Sequence, residues 1–188
     1  MPDPEDVLRF WLDEVGPDGW YAPSDALDET IRERFGGASR KAAAGDLDAW
    51  AETGRGALAL MVLLDQMPRN MHRGSAEAFA ADGKARELAR AAIARDLDLE
   101  TEVPGRQFFY LPFEHAEDLA DHDWCIALMR HRLGLDEQLL HARAHREVIA
   151  RFGRFPFRNE ALGRATTGEE AAWLEEGGYP ALVATLRR

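Results

Sequence analysis

Three groups of side chains in this 188-residue chain have the types and spacing to do chemistry. The first is a run of arginines, Arg151, Arg154, Arg158 and Arg164, opposed within its own stretch by one acid, Glu160, and interleaved with Phe152, Phe155 and Phe157. A guanidinium is a rigid fork of donors that matches a carboxylate or phosphate, so this run, with Asn159, reads as one wall of a pocket for a small anion or the acidic end of a peptide. The second group, Asp65, Gln66, Arg69, Asn70 and Arg73, directly follows the most apolar segment. It would supply the other wall, with Arg69, Arg154 and Arg158 as anchors, if the two distant stretches fold together. The competing reading is internal. Arginines in an acidic protein pair with their own carboxylates, and phenylalanines near a helix end belong to the core. A buried Asp65 would itself need a donor such as Arg69, Arg154 or Arg158.

The third group is Glu114, His115, Glu117, Asp118, Asp121 and His122. Histidine titrates near neutrality and a neighbouring carboxylate can orient it. His115 as general base with Asp118 as its orienting partner would suit a hydrolase, the arginines stabilising developing negative charge. In the alternative, these residues cap helices and line a solvated turn. His141 and His145 stand four apart and share a helix face, a spacing used by metal sites, but no HExxH or Glu-x-x-His pattern accompanies them. Neither a metal nor another cofactor is expected. GxSxG, phosphate-loop and GxGxxG patterns are absent, and Cys125 lies on an apolar helical face as an inert core thiol. Binding of a small anion leads this reading, with a hydrolase second. An interaction module presenting a concave helical groove is the third class, and predicts an exposed apolar patch.

The elements that must position these groups are helices. Val7, Trp11 and Val15 recur at fours behind a capping Asp3, and Gly16-Pro17 ends the pattern. Ser24 caps a second helix with the stripe Leu27, Ile31 and Phe35, which Gly36-Gly37 interrupts or bends and which Ala42 to Ala44 extend to Gly45. After Thr53 an apolar helix runs to Gln66 and stops ahead of Pro68, since the residue before a proline avoids helical geometry. Ser75 opens an alanine-rich helix through Arg95. Arg106 to Leu111 is aromatic and helical, broken or kinked by Pro112. Asp121 caps a helix to Leu133 that forms an antiparallel hairpin with one starting at Asp136. Thr167 and Glu170 make a capping box, and Pro180 suits the start of a last short helix. No alternation of period two persists. The class is all-α, about eight or nine helices in antiparallel hairpins, within one helical domain spanning residues 1–188.

Three stretches together resemble a known family: Leu63 to Asn70 (LLDQMPRN), Tyr110 to Asp121 (YLPFEHAEDLAD) and Arg151 to Asn159 (RFGRFPFRN), with the opening Phe10-Trp11. The bacterial family is catalogued as domain of unknown function 924, and the likeness spans nearly the whole chain. It implies a tetratricopeptide-like helical fold and no assigned activity. At the position of Phe157 the family is associated with a histidine, so a proton-transfer role there does not carry over to this chain.

Charge narrows the partners. With 34 acidic and 23 basic residues the net charge is −11, which opposes binding to nucleic acid or to an anionic membrane. The longest apolar run, Ala57 to Leu64, is far shorter than the roughly 20 residues of a membrane span. One cysteine allows no internal disulfide and the acidic N-terminus has no signal-peptide pattern, so a cytoplasmic protein is expected.

Overall fold

The computed structural model describes residues 2–188. The chain is all-α, and no strand occurs among the described residues. No helix among them is long and apolar enough to cross a membrane. Where the length suggests one domain over 1–188, the contacts gather into two compact units, one ending at Pro112 and one spanning Phe113–Arg188.

The first unit holds α1 (Pro4–Leu8), which continues through a wide π-helical segment (Arg9–Val15), then α2 (Gly16–Gly19), α3 (Asp25–Ala44), α4 (Gly54–Met61), α5 (Met67–Met71) and α6 (Asp82–Ala94). Asp3 caps α1 and Ser24 caps α3 as the sequence predicts. The glycine pair does not interrupt α3. The helix runs unbroken to Ala44 and ends at Gly45 with φ +95°. At Gly36 an added Cβ would sit 3.6 Å from the sulfur of Met71, an ordinary van der Waals contact where α5 packs against α3. Thr53 caps α4, and Gly56 lets it start close to Trp50, whose carbonyl oxygen lies 2.0 Å from where a Cβ would stand. Residues Ala57 to Leu64 are completely buried.

Nor does the central helix end at Met67. Its last turn widens over Val62–Gln66, where the Met67 N–H bonds to the carbonyl of Val62, and α5 follows with Pro68 in its first turn. Pro68 has no N–H to offer, and the Leu63 carbonyl takes the Ser39 hydroxyl instead, at 2.9 Å. The widened turn reconciles the proline with a continuous helical path. Ser75 opens only a short turn (Ala76–Phe79), because its hydroxyl accepts from the N–H of Glu77 at once, and α6 begins later, at Asp82.

After α7 (Leu111–Glu114), the second unit contains α8 (Leu119–Leu128), prolonged by a π-helical turn (Met129–Leu133), α9 (Asp136–Phe152), α10 (Gly168–Glu175) and α11 (Gly178–Leu186). The expected α8–α9 hairpin forms, turning at Gly134 with φ +72°. Arg146 Nε donates to Asp123 across it at 2.6 Å. Its first helix is capped by Asp118, three residues before the position expected. The Thr167/Glu170 capping box starts α10. Helix α11 packs on α9, closing a core of Val148, Ile149, Phe155 and Trp173 that Phe152, Tyr179 and Leu182 border.

Candidate functional site

In the first unit the residues around LDQMPRN answer one another. Arg69 directs both terminal nitrogens at Asp82, at 3.0 and 2.9 Å, and reaches Oδ1 of Asp65 at 3.2 Å. Its Nη1 also donates to the carbonyl of Asp65, in the turn that precedes Pro68. Burial works to lower the Arg69 pKa, yet Asp65 and Asp82 carry it above its ordinary value. The same need explains Gln66, whose amide donates to the fully buried Asp65 carboxylate at 2.5 Å. Asn70 and Arg73 both bond to Asp28, at 2.8 Å each for the shortest contacts. They line a surface hollow of about 320 Å³ together with Asp25, Asp28, Glu29 and Arg32. Three acids against two arginines leave the lining of that hollow net negative, which opposes an incoming anion.

In the second unit the arginines also find internal acceptors. Arg154 makes a two-pronged bond to Glu170, at 2.6 and 2.8 Å, and donates to the carbonyl of Ala165. Glu170 is buried and further accepts from the N–H of Thr167 and from Asn159. The Arg154 bond, then the Thr167 N–H, hold its pKa down at about 2. Arg164 clamps Glu117 at 2.6 and 2.9 Å, and Glu117 also receives the N–H of Phe155. Burial pushes the Glu117 carboxyl up, but Arg164 and that N–H outweigh it. Arg151 bonds to Glu169 at 3.1 Å. Arg158 lies over the Phe155 ring, 4.4 Å from its centroid, and donates to the carbonyl of His115 at 3.0 Å. Of the arginines expected to hold an anion, Arg69, Arg73, Arg151, Arg154 and Arg164 each meet a carboxylate of their own unit.

The His115/Asp118 pair changes as well. Asp118 serves as the cap of α8, accepting the N–H of Asp121 at 3.0 Å. The ring beside His115 is that of His145, with centroids 6.4 Å apart. The buried carboxylate that meets a histidine in this unit is Glu114, in α7 and 4% exposed.

Nδ1 of His145 has three polar neighbours: Oε1 of Glu114 at 2.9 Å, the carbonyl of His141 at 3.0 Å and the Tyr179 hydroxyl at 3.0 Å. Burial pushes the Glu114 carboxyl up, but His145, His115 and His141 outweigh it and hold its pKa below the ordinary value. An ionised carboxylate and a carbonyl can only accept. The network therefore assigns the proton of a neutral His145 to Nδ1 and leaves Nε2 as the basic nitrogen. The Tyr179 hydroxyl then accepts from His145 and directs its own hydrogen to Nδ1 of His141, 2.7 Å away. That assigns the His141 proton to Nε2, 3.3 Å from Glu137. Burial, with Glu114 and Glu137 nearby, raises the Tyr179 pKa, so the phenol stays protonated.

Aromatic rings flank the inner part of this chain of groups: Phe155 meets His145 edge-on at 5.6 Å, and Phe157 lies 6.4 Å from Tyr179. His122 is fully buried. Its Nε2 faces the carbonyl of Ala116 at 2.8 Å, and burial lowers its pKa, which keeps it neutral. Cys125 is buried too, and burial raises its thiol pKa well above the ordinary value. Among the described residues no three His, Cys, Asp or Glu side chains are grouped to hold a metal ion. His141 and His145 both turn Nδ1 to Tyr179, and this phenol is the residue that sequence reasoning missed. The four-residue histidine spacing was the signal for a shared partner, but nothing local named Tyr179.

The family model described as "Bacterial protein of unknown function (DUF924)" matches residues 7–178. The chain is also similar to the solved structure of a protein of unknown function from Agrobacterium tumefaciens, with a TM-score of 0.87 and 45% identity, over 92% of this chain and 97% of that one. No curated protein matches it.

Proposed function

The chain belongs to the bacterial family of unknown function DUF924, and for it we propose an enzyme of hydrolase type whose second unit carries a general acid–base site, His145 moving the proton and Glu114 orienting it. The observation that carries this reading is the 2.9 Å contact between Nδ1 of His145 and the buried Glu114 carboxylate. A carboxylate on one ring nitrogen selects the tautomer that leaves the other nitrogen basic, and it stabilises the imidazolium that forms on proton uptake. Nε2 of His145 would take the proton of an attacking water and return it to the leaving group, so the ring ends the cycle as it began. His115 is the second proton-bearing ring beside it. Anion binding by the arginines has less support, because an incoming anion would have to displace Glu170 from Arg154, Glu117 from Arg164 or Asp82 from Arg69.

The test is a panel of activated esters, phosphate esters, amides and glycosides offered to the wild type, His145→Gln and Glu114→Gln. Turnover of one class is expected, with kcat/KM lowered roughly 10²–10⁴-fold in His145→Gln, the usual worth of a positioned acid–base group. No turnover of any class, or a rate unchanged in His145→Gln, overturns the proposal.

A further inference from the structure

We propose that Tyr179 and His141 form a proton relay linking His145 to the exposed carboxylate of Glu137; this rests on the acid–base reading of His145 given above. The relay is a continuous series of donors and acceptors with one consistent direction. Nδ1–H of His145 faces the Tyr179 oxygen at 3.0 Å, the phenol hydrogen faces Nδ1 of His141 at 2.7 Å, and Nε2–H of His141 faces Oε1 of Glu137 at 3.3 Å. When Nε2 of His145 gains a proton, the hydrogen on its Nδ1 can move to the Tyr179 oxygen while the phenol hydrogen moves to His141. The Nε2 hydrogen of His141 then passes to Glu137. Each bond formed to hydrogen matches one broken, and the net result is a proton carried from His145 to Glu137 in a turnover whose leaving group departs as an anion and takes no proton back.

Exposure grades along the series, as an exit to solvent requires. The Glu114 side chain is 5% exposed, His145 16%, His141 38% and Glu137 53%. The charged groups facing it are Glu114 at the inner end, Glu137 at the outer end and Arg187, which also bonds to Glu137. His115 is the neighbouring titratable ring. Tyr179 bridges the two histidine rings through its hydroxyl. It reaches them because α11 packs on α9.

Nitrogen-15 NMR of histidine-labelled protein reads the tautomers directly. The wild type is expected to show His145 protonated on Nδ1 and His141 on Nε2. In Tyr179→Phe, which keeps the ring and its packing, His141 is expected to lose its single tautomer while His145 keeps Nδ1–H on Glu114. Exchange of that Nδ1 proton with water is expected to slow in Tyr179→Phe and in His141→Gln. An unchanged His141 tautomer, or unchanged exchange in both variants, overturns the relay and leaves the acid–base reading standing. A wild-type His145 protonated on Nε2 overturns the acid–base reading itself, and the relay with it.

Discussion

Replacing Arg69 by methionine tests whether this arginine is an internal clamp or a ligand anchor. The Asp65 side chain is 0% exposed, that of Asp82 12% and that of Arg69 21%, so the three charges are largely removed from water. At an effective dielectric constant of about 20, a pair of unit charges about 4 Å apart attracts by about 4 kcal/mol. Two such pairs act here, and desolvation offsets most of the gain. Methionine removes the attraction, keeps the burial of both carboxylates and leaves them repelling each other. Breaking a buried pair from one side costs about 3–5 kcal/mol. For a protein of this length that corresponds to a melting temperature lowered by roughly 6–20 °C, read by thermal unfolding followed by circular dichroism. Adding Asp82→Asn should recover part of the loss, because one carboxylate fewer is left buried without its cation. A loss below about 1 kcal/mol, or a gain in stability of the kind seen when a strained functional residue is removed, would refute the clamp.

Glu170 and Arg154 give a pH signature. The carboxyl of Glu170 is held at about 2 in the folded chain, below its ordinary value, so its contribution is fully present above about pH 4.5 and is lost as the pH falls toward 2. Arg154→Met should flatten that part of the acid-unfolding curve, and an unchanged acid limb would count against the pairing. Asp118→Ala removes the cap of α8 and should lower stability by about 1 kcal/mol without altering the NMR tautomer of His145. A changed tautomer would return Asp118 to the acid–base machinery.

The helices were legible in the sequence because their signals are local. Asp3, Ser24 and Thr167 with Glu170 cap their own next turn, and apolar residues at threes and fours declare which face is dry. Two elements depart from the local pattern. Pro68 looked like a stop until Ser39 supplied the hydroxyl for the Leu63 carbonyl and the turn widened around it. Asp118 rather than Asp121 caps α8, a choice between two capping residues three apart that pattern alone does not settle.

For the site, residue types name the titratable groups and cations, and the packing supplies their partners. His115, His141 and His145 stood out as titratable groups, yet Glu114 rather than Asp118 holds a histidine, and Tyr179 joins two of them. The arginines read as anion binders, and five of them, Arg69, Arg73, Arg151, Arg154 and Arg164, meet carboxylates of the chain itself.

By itself the sequence determined the helical class, most of the caps and the excess of negative charge, since each of these depends on residues within a few positions of one another or on simple composition. Only the tertiary structure decided which carboxylate answers which cation and which hydroxyl bridges which rings. A hydrogen bond acts over about 3 Å, and whether Glu114, His145 and Tyr179 come within that reach depends on how α7, α9 and α11 pack, a matter of side-chain volume and helix crossing.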